Sequence, residues 1–181
     1  MPFQAEKGYI QGQRSSAAPC RNILGPNPSG KLRRTGRLIA VDSNILVYAH
    51  REDSPWHDQA LRRIVELAEG RAPWAIPWPC IHEFLAIVSH PRIYNPPTPL
   101  ETAIDQVEAW LESPALAMLS ESEDYWRLLR STLQSGRISD PQVHNARIVT
   151  ICHQHGVREL WTADRDFGRF PGLAVQNPLI S

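Results

Sequence analysis

The chain has 181 residues, of which 42% are hydrophobic and 21% are charged, so it can bury one substantial core but hardly two. No apolar run approaches the roughly 18 residues of a membrane span, and the first residues lack the apolar segment of a secretory signal. The three cysteines, Cys20, Cys80 and Cys152, lie far apart without metal-finger spacing and indicate reduced thiols. We therefore expect a soluble cytoplasmic protein with Cys80 and Cys152 in its core.

Charge is distributed unevenly, although the 19 basic and 19 acidic residues cancel overall. Up to Arg37 there are seven Lys or Arg residues against Glu6 alone, which leaves 12 basic and 18 acidic residues from Leu38 onward. Frequent glycine and proline without periodicity predict a disordered basic leader over residues 1–36, followed by one acidic domain over residues 37–181. The leader could attract RNA phosphates, or translation could begin near Leu38, but a dispensable leader is favoured.

Five short apolar runs predict the strands of one sheet. They cover residues 37–42, 73–77, 115–119, 159–161 and 173–175. The first run, RLIAVD, is rich in β-branched residues and ends at Asp42, as expected of a buried strand in a parallel sheet.

Helical patterns fill the intervals between these strands. They cover residues 43–50, 56–69, 79–90, 100–111 and 122–133, and a last helix runs from Asp140-Pro141 to His155. In the second helix an apolar stripe that includes Leu61 and Val65 should face the sheet, and in the fifth helix Trp126 should point inward. Residues 91–99 hold four prolines and should form a loop. This alternation predicts an α/β sandwich with a mostly parallel sheet.

Three acidic residues lie near predicted strand ends. Asp42 follows the first strand, Glu83 lies early in the helix after the second, and Asp164 follows the fourth. The carboxyl ends of parallel strands open to one edge, so these side chains should face one another. Two like charges 4 Å apart cost about 4 kcal/mol at an effective dielectric constant near 20, which calls for a cation. Mg²⁺ or Mn²⁺ would suit carboxylate oxygens and predicts phosphodiester hydrolysis, although each acid taken singly could equally be a cap or turn residue.

Several segments together resemble a known family. VDSNILVYAHRED, HNARIVTICHQHGVRELWTADRDFGRFPGL and the closing NPL, together with Glu83, resemble the PIN domain, and specifically the VapC-like ribonuclease toxins of VapBC toxin-antitoxin systems. The likeness extends from Leu38 to Leu179, and its TxDxDF motif is the most specific part. It implies a PIN-like α/β/α sandwich, a metal-dependent endoribonuclease activity, a cognate VapB-like antitoxin and a homodimer.

The resemblance also assigns roles to individual acids. The family's first, second and fourth acids fall on Asp42, Glu83 and Asp164, which would hold Mg²⁺ or Mn²⁺, with Glu83 either binding the ion or positioning its water. The third acid falls on Asn145, which has nearly the shape of aspartate but offers only a neutral carbonyl oxygen. Asp140 is better explained as a helix cap than as a substitute for that acid.

Other positions around these acids have more than one interpretation. Ser43 and Asn44 match the polar pair that orients the first turn, and Asp166 fits a scaffolding role at least as well as metal contact. Arg165 and Arg169 flank the acidic turn and could bind RNA phosphates or form salt bridges.

Two alternative functions stay open at this point. Asn145 is compatible with a catalytically degenerate PIN domain that binds RNA or antitoxin with little cleavage. A DNA-directed nuclease is also compatible, because carboxylate-metal sites do not themselves select the sugar. No glycine-rich phosphate loop is present, which argues against a nucleotide-dependent enzyme.

Overall fold

The structure, a computed structural model, describes residues 38–135, 138 and 142–180. The predicted leader, Asp140 and Pro141 lie outside these residues. The five strands are Ile39–Val41 (β1), Trp74–Pro77 (β2), Leu116–Leu119 (β3), Glu159–Trp161 (β4) and Ala174–Gln176 (β5). They form one sheet in the order β3-β2-β1-β4-β5, and every neighbouring pair is parallel. The predicted parallel sheet is confirmed.

The helices pack in two groups around this sheet. They are Ser43–His50 (α1), His57–Glu69 (α2), Trp78–Val88 (α3), Leu100–Leu111 (α4), Tyr125–Ser135 (α5) and Val143–Gln154 (α6), with a short 3-10 helix at Arg165–Arg169. Helix α1 contacts α2 and α3, α3 contacts α4, and α5 contacts α6. The result is the predicted α/β/α sandwich. None of the described helices combines the length and the apolar character needed to cross a bilayer.

The core is built on the central strands. Ala40 and Val41 of β1 and Leu160 of β4 are fully buried, and Ala40 lies opposite Leu160 in the register. Strands covered on both faces must be apolar throughout, which explains why these runs do not alternate with polar residues. Cys80 and Cys152 are buried free thiols, as predicted.

In two predicted helix faces, some of the residues that were expected to point inward are exposed. In α2 the buried residues are Ala60, Ile64 and Leu67, whereas Leu61 and Val65 are exposed. The predicted apolar stripe and the set of buried residues both include Ile64, and both fit helical spacing. Periodicity alone therefore could not choose between them, and packing against α1 decides which residues are buried. Trp126 of α5 is 68% exposed, so it does not belong to the core.

The strand order also fixes where a ligand can bind. The chain leaves β1 toward β2 on one side, and β4 pairs with β1 on the other side. Open α/β sheets bind ligands beyond the carboxyl ends of the strands at such a switch in direction. The residues that follow β1 and β4 therefore define the candidate site.

Candidate metal and catalytic site

Asp42 lies at the carboxyl end of β1 and caps the first turn of α1. Its backbone N–H donates to the carbonyl of Trp161 in β4 at 3.0 Å, and its Oδ1 accepts from the Ser43 N–H at 2.8 Å. The side chain is only 2% exposed. The capping role that the sequence allowed is therefore real, but it occupies only one of the two carboxylate oxygens.

The second oxygen of Asp42 belongs to a closed hydrogen-bond network. The Thr162 hydroxyl donates to Asp42 Oδ2 at 2.7 Å and accepts from Asn44 Nδ2 at 2.9 Å and from the Asp164 N–H at 3.0 Å. These three bonds use its single proton and both lone pairs. Asn44 Nδ2 also donates to Asp42 Oδ2 at 2.6 Å, and Asn44 Oδ1 accepts from the Ala163 N–H at 3.0 Å. The turns after β1 and β4 are thus fixed to each other.

Ser43 links Asp42 to Glu83. Its hydroxyl oxygen lies 2.7 Å from Glu83 Oε2 and 3.3 Å from Asp42 Oδ1. A hydroxyl has one proton, which goes to the shorter contact with Glu83. Asp42 Oδ1 then accepts only the Ser43 N–H and the weak Cys80 Sγ donor at 3.7 Å. This oxygen keeps the capacity to bind a cation or a further donor, next to the exposed Glu83.

A second assembly surrounds Asp164. Asn145 Nδ2 donates to Asp164 Oδ2 at 2.9 Å, and the Asp166 N–H donates to Asp164 Oδ1 at 2.8 Å. The Asp166 carboxylate is half-exposed and lies 3.4 Å from the Arg169 guanidinium, while Arg165 is exposed. The main chain of Asp166 therefore orients Asp164, and its side chain pairs with arginine at the surface.

Burial makes Asp42 an unusual carboxylate. Burial is the main cause that raises the pKa of Asp42, and the Glu83 charge adds to the rise, whereas the hydrogen bonds from Thr162 and Ser43 lower it; together these effects leave the pKa at about 6. Burial, with the Asp42 charge, also raises the pKa of the Cys80 thiol. Cys80 therefore stays protonated and serves Asp42 as a weak donor.

The donor chemistry of the site fits a hard divalent cation. Within the described residues, no three His, Cys, Asp or Glu side chains gather in a group that could hold a metal. The acids instead form two assemblies, Asp42 with Glu83 and Asp164 with Asn145, which Thr162 connects. These side chains offer carboxylate oxygens and the amide oxygen of Asn145, and oxygen ligands are what Mg²⁺ and Mn²⁺ prefer. A bound cation would also stabilise the charged form of the buried Asp42. Two protein carboxylates with several waters suit this arrangement better than a closed all-protein cage.

Sequence reasoning missed two members of this network. Thr162 directly follows β4 and lies inside the TxDxDF motif, and a hydroxyl at the carboxyl end of a central strand is the signal that indicates its role. Cys80 was expected only in the core, and nothing in the sequence indicated its contact with Asp42.

Comparison with known proteins gives a consistent set of similarities. A family model described as PIN domain matches residues 39–173. The chain is 27% identical over 137 residues to Ribonuclease VapC48 of Mycobacterium tuberculosis, covering 76% of this chain and 94% of that protein. It is 29% identical over 142 residues to the VapC ribonuclease Mb2897 of Mycobacterium bovis, covering 78% of this chain and 96% of that protein.

Solved structures share the fold at lower sequence identity. VapBC2 from Rickettsia felis, solved bound to a DNA fragment from their promoter, matches with a TM-score of 0.55 and 19% identity, covering 77% of this chain and 97% of that chain. VapC20 of Mycobacterium tuberculosis, a Sarcin-Ricin loop cleaving toxin, matches with a TM-score of 0.55 and 13% identity. The match covers 72% of this chain and 92% of that chain.

Proposed function

Because the chain belongs to the PIN-domain family, we propose that it is a metal-dependent endoribonuclease and the toxin of a toxin-antitoxin system. Its curated relatives are named ribonucleases, and PIN-domain ribonucleases depend on a divalent metal. One structural observation supports this function above others. The buried carboxylate of Asp42 lies at the switch point of the sheet and is joined through Ser43 to Glu83 and through Thr162 to Asp164.

Four side chains, those of Asp42, Glu83, Asn145 and Asp164, have distinct roles in the proposed metal site. Asp42 and Asp164 would hold Mg²⁺, for which Mn²⁺ could substitute, and Glu83 would either bind the ion or position a water. Asn145 supplies a neutral oxygen or a hydrogen bond. With three formal negative charges the site suits one ion better than two. A bound divalent ion would lower the pKa of its water and offset charge on the phosphate.

Cleavage proceeds by attack of water on the phosphodiester, without a covalent enzyme intermediate. Glu83 Oε2 is held by Ser43, and no described residue donates to its other oxygen, which is available to orient a water. Arg165 and Arg169 contact RNA phosphates beside the turn. The Arg169 to Asp166 pair is exposed, so it is weak enough for a phosphate to replace the carboxylate.

The proposed assembly follows the same family pattern. Structures with this fold include complexes of VapB with VapC, which supports a VapB-like antitoxin as the partner of this chain. We further propose a homodimer, an RNA substrate and a cytoplasmic location. The catalytically degenerate alternative that Asn145 suggested is not favoured, because the curated relatives are named ribonucleases.

The deciding experiment measures cleavage of a mixed RNA pool, and of DNA of matched sequence, with Mg²⁺ or Mn²⁺. Wild type should cleave RNA and lose activity in EDTA, and Asp42→Ala should lower the rate by at least about 100-fold, as loss of a catalytic electrostatic group does. Asp105→Ala is the control, because Asp105 is exposed on α4.

Each contrary result has a distinct meaning. Undiminished cleavage by Asp42→Ala would overturn the metal-site assignment. If wild type is inert and the Asn145→Asp variant cleaves RNA, the chain is a catalytically degenerate PIN domain. If wild type cleaves the DNA pool faster than the RNA pool, DNA is the substrate.

A further inference from the structure

The six tryptophans divide evenly between core and surface. Trp74, Trp110 and Trp161 are buried in the core. Trp56 is 37% exposed, Trp78 is 38% exposed and Trp126 is 68% exposed. Since exposing an indole sacrifices hydrophobic stabilisation, each exposed tryptophan calls for an explanation by its location.

The location of Trp78 sets it apart from the other exposed tryptophans. Trp56 follows α1, which starts at the site and runs away from it for 8 residues, or about 12 Å of helix. Trp126 lies on α5, which follows the edge strand β3, two strands away from β1. Trp78 is the first residue of α3, directly beyond the carboxyl end of β2. Extending the β1 to β2 register from Ala40 and Ala75 by two residues brings Pro77 level with Asp42.

The backbone holds Trp78 in a defined position. It lies between Pro77, whose φ is −64°, and Pro79, so neighbouring residues have little backbone freedom. The indole N–H donates to none of the described residues, while about three-fifths of the surface of the residue is covered. Because the backbone here is restrained and the residue is partly covered, stacking of a ligand on the ring costs less conformational entropy than on a freely mobile side chain.

Trp78 also has an aromatic neighbour beside the acids. The His82 ring lies one helical turn away, with ring centroids 6.3 Å apart and an interplanar angle of 31°. His82 is exposed and directly precedes Glu83, whose carboxylate accepts the Ser43 hydroxyl. Two adjacent exposed rings therefore lie in the first turns of α3, the helix that also carries Glu83.

We propose that Trp78, with His82 beside it, is a stacking platform for an unpaired base of the RNA substrate. This inference rests on the proposed ribonuclease function and extends it, because it selects single-stranded nucleotides next to the cleaved phosphate. Every base has a π-face, so aromatic stacking binds single strands with little sequence preference. RNA explains the exposure of these rings better than a protein partner does. The rings lie at the carboxyl edge of the sheet, where the proposed site would bind the RNA strand that is cleaved.

The test compares a short labelled single-stranded RNA of mixed sequence with an abasic RNA of the same length. Binding is measured by fluorescence anisotropy on the full chain, with Ca²⁺ replacing Mg²⁺ to suppress cleavage. Trp78→Ala should weaken binding of the base-bearing RNA about 5- to 150-fold and leave the abasic RNA unaffected. Trp78→Phe should retain most of the affinity, and Trp126→Ala, a control at an exposed tryptophan elsewhere, should match wild type.

Equal binding by Trp78→Ala and wild type, or an equal loss for both RNAs, would overturn the platform. Loss of antitoxin binding alone would assign Trp78 to a protein interface instead. Parallel cleavage assays separate the two proposals. Wild-type cleavage with no effect of Trp78→Ala overturns only the platform, whereas base-dependent binding without any cleavage overturns only the ribonuclease.

Discussion

Asp42 combines two requirements that usually conflict, deep burial and a negative charge. Protein donors satisfy both of its oxygens, yet burial still raises the pKa of Asp42 to about 6. At neutral pH the carboxylate is charged, and burying this charge is unfavourable for the folded state. A cation bound to the carboxylate would offset that unfavourable free energy and so stabilise the fold.

This balance predicts a pH-dependent stability in EDTA. The pKa of Asp42 is raised in the folded state from an ordinary value of 3.8 to about 6. Between those values the folded state binds a proton that the unfolded state lacks, so unfolding free energy should rise as pH falls from 7 to 4. The contribution is about 3 kcal/mol at most, fully present near pH 4 and lost as pH rises through about 6. Urea unfolding of wild type and Asp42→Asn measures it, and identical pH slopes for the two proteins would contradict it.

Asn145 sets the charge of the second assembly. Asn145→Asp replaces the N–H donor to Asp164 Oδ2, now at 2.9 Å, with a like charge. The melting temperature in EDTA should fall, corresponding to a loss of about 1–3 kcal/mol. Added Mg²⁺ should raise it more than in wild type, because the new carboxylate can bind the ion. Asn145→Ala, which loses the hydrogen bond without adding charge, should gain no extra response to Mg²⁺, and a matching gain there would refute this account.

At the scale of elements, the site depends on how the turns after β1 and β4 are locked together. Thr162 accepts from Asn44 and Asp164 and donates to Asp42, so one hydroxyl joins both turns. Because the proton and both lone pairs of this hydroxyl are used, rotating it would break at least one of these bonds. The elements therefore hold the acids in place before any ligand binds.

Thr162→Val preserves the side-chain shape but removes the hydroxyl that donates to the buried Asp42 Oδ2, and it leaves the Asp164 N–H without its acceptor. It should therefore lower the unfolding free energy by about 3 kcal/mol. Thr162→Ser keeps the hydroxyl and should lose much less. Urea unfolding measures stability, and Mn²⁺ titration measures whether Asp42 and Asp164 still bind together. A Val variant as stable as wild type would show that the network does not lock the turns.

At the scale of the whole molecule, the five strands that the structure describes all lie beyond residue 38. Strand β1 begins at Ile39, and the PIN-domain match begins at residue 39. From Leu38 onward the chain has 12 basic and 18 acidic residues, a net charge of minus six. Approach of RNA to this acidic domain then relies on local features of the site rather than on net charge.

Removal of residues 1–36 should leave the melting temperature and the RNA cleavage rate unchanged, because the strands and the acids all lie beyond residue 36. Thermal unfolding and steady-state cleavage at low and moderate salt test this. If KM rises on truncation, and rises more at low salt, the leader attracts RNA electrostatically and is functional.

The sequence by itself determined the order of helices and strands, and it placed Asp42 and Asp164 after strands whose carboxyl ends share an edge. Those features are local, because periodicity and chain breakers act over a few residues. Only the tertiary structure decided that Ser43 donates to Glu83, 40 residues away, and that Thr162 joins Asp42 across 120 residues. It also decided that Leu61 and Trp126 face outward and that Trp78 is partly exposed at the start of α3. Hydrogen-bond partners and buried faces depend on distances between elements, which no local pattern encodes.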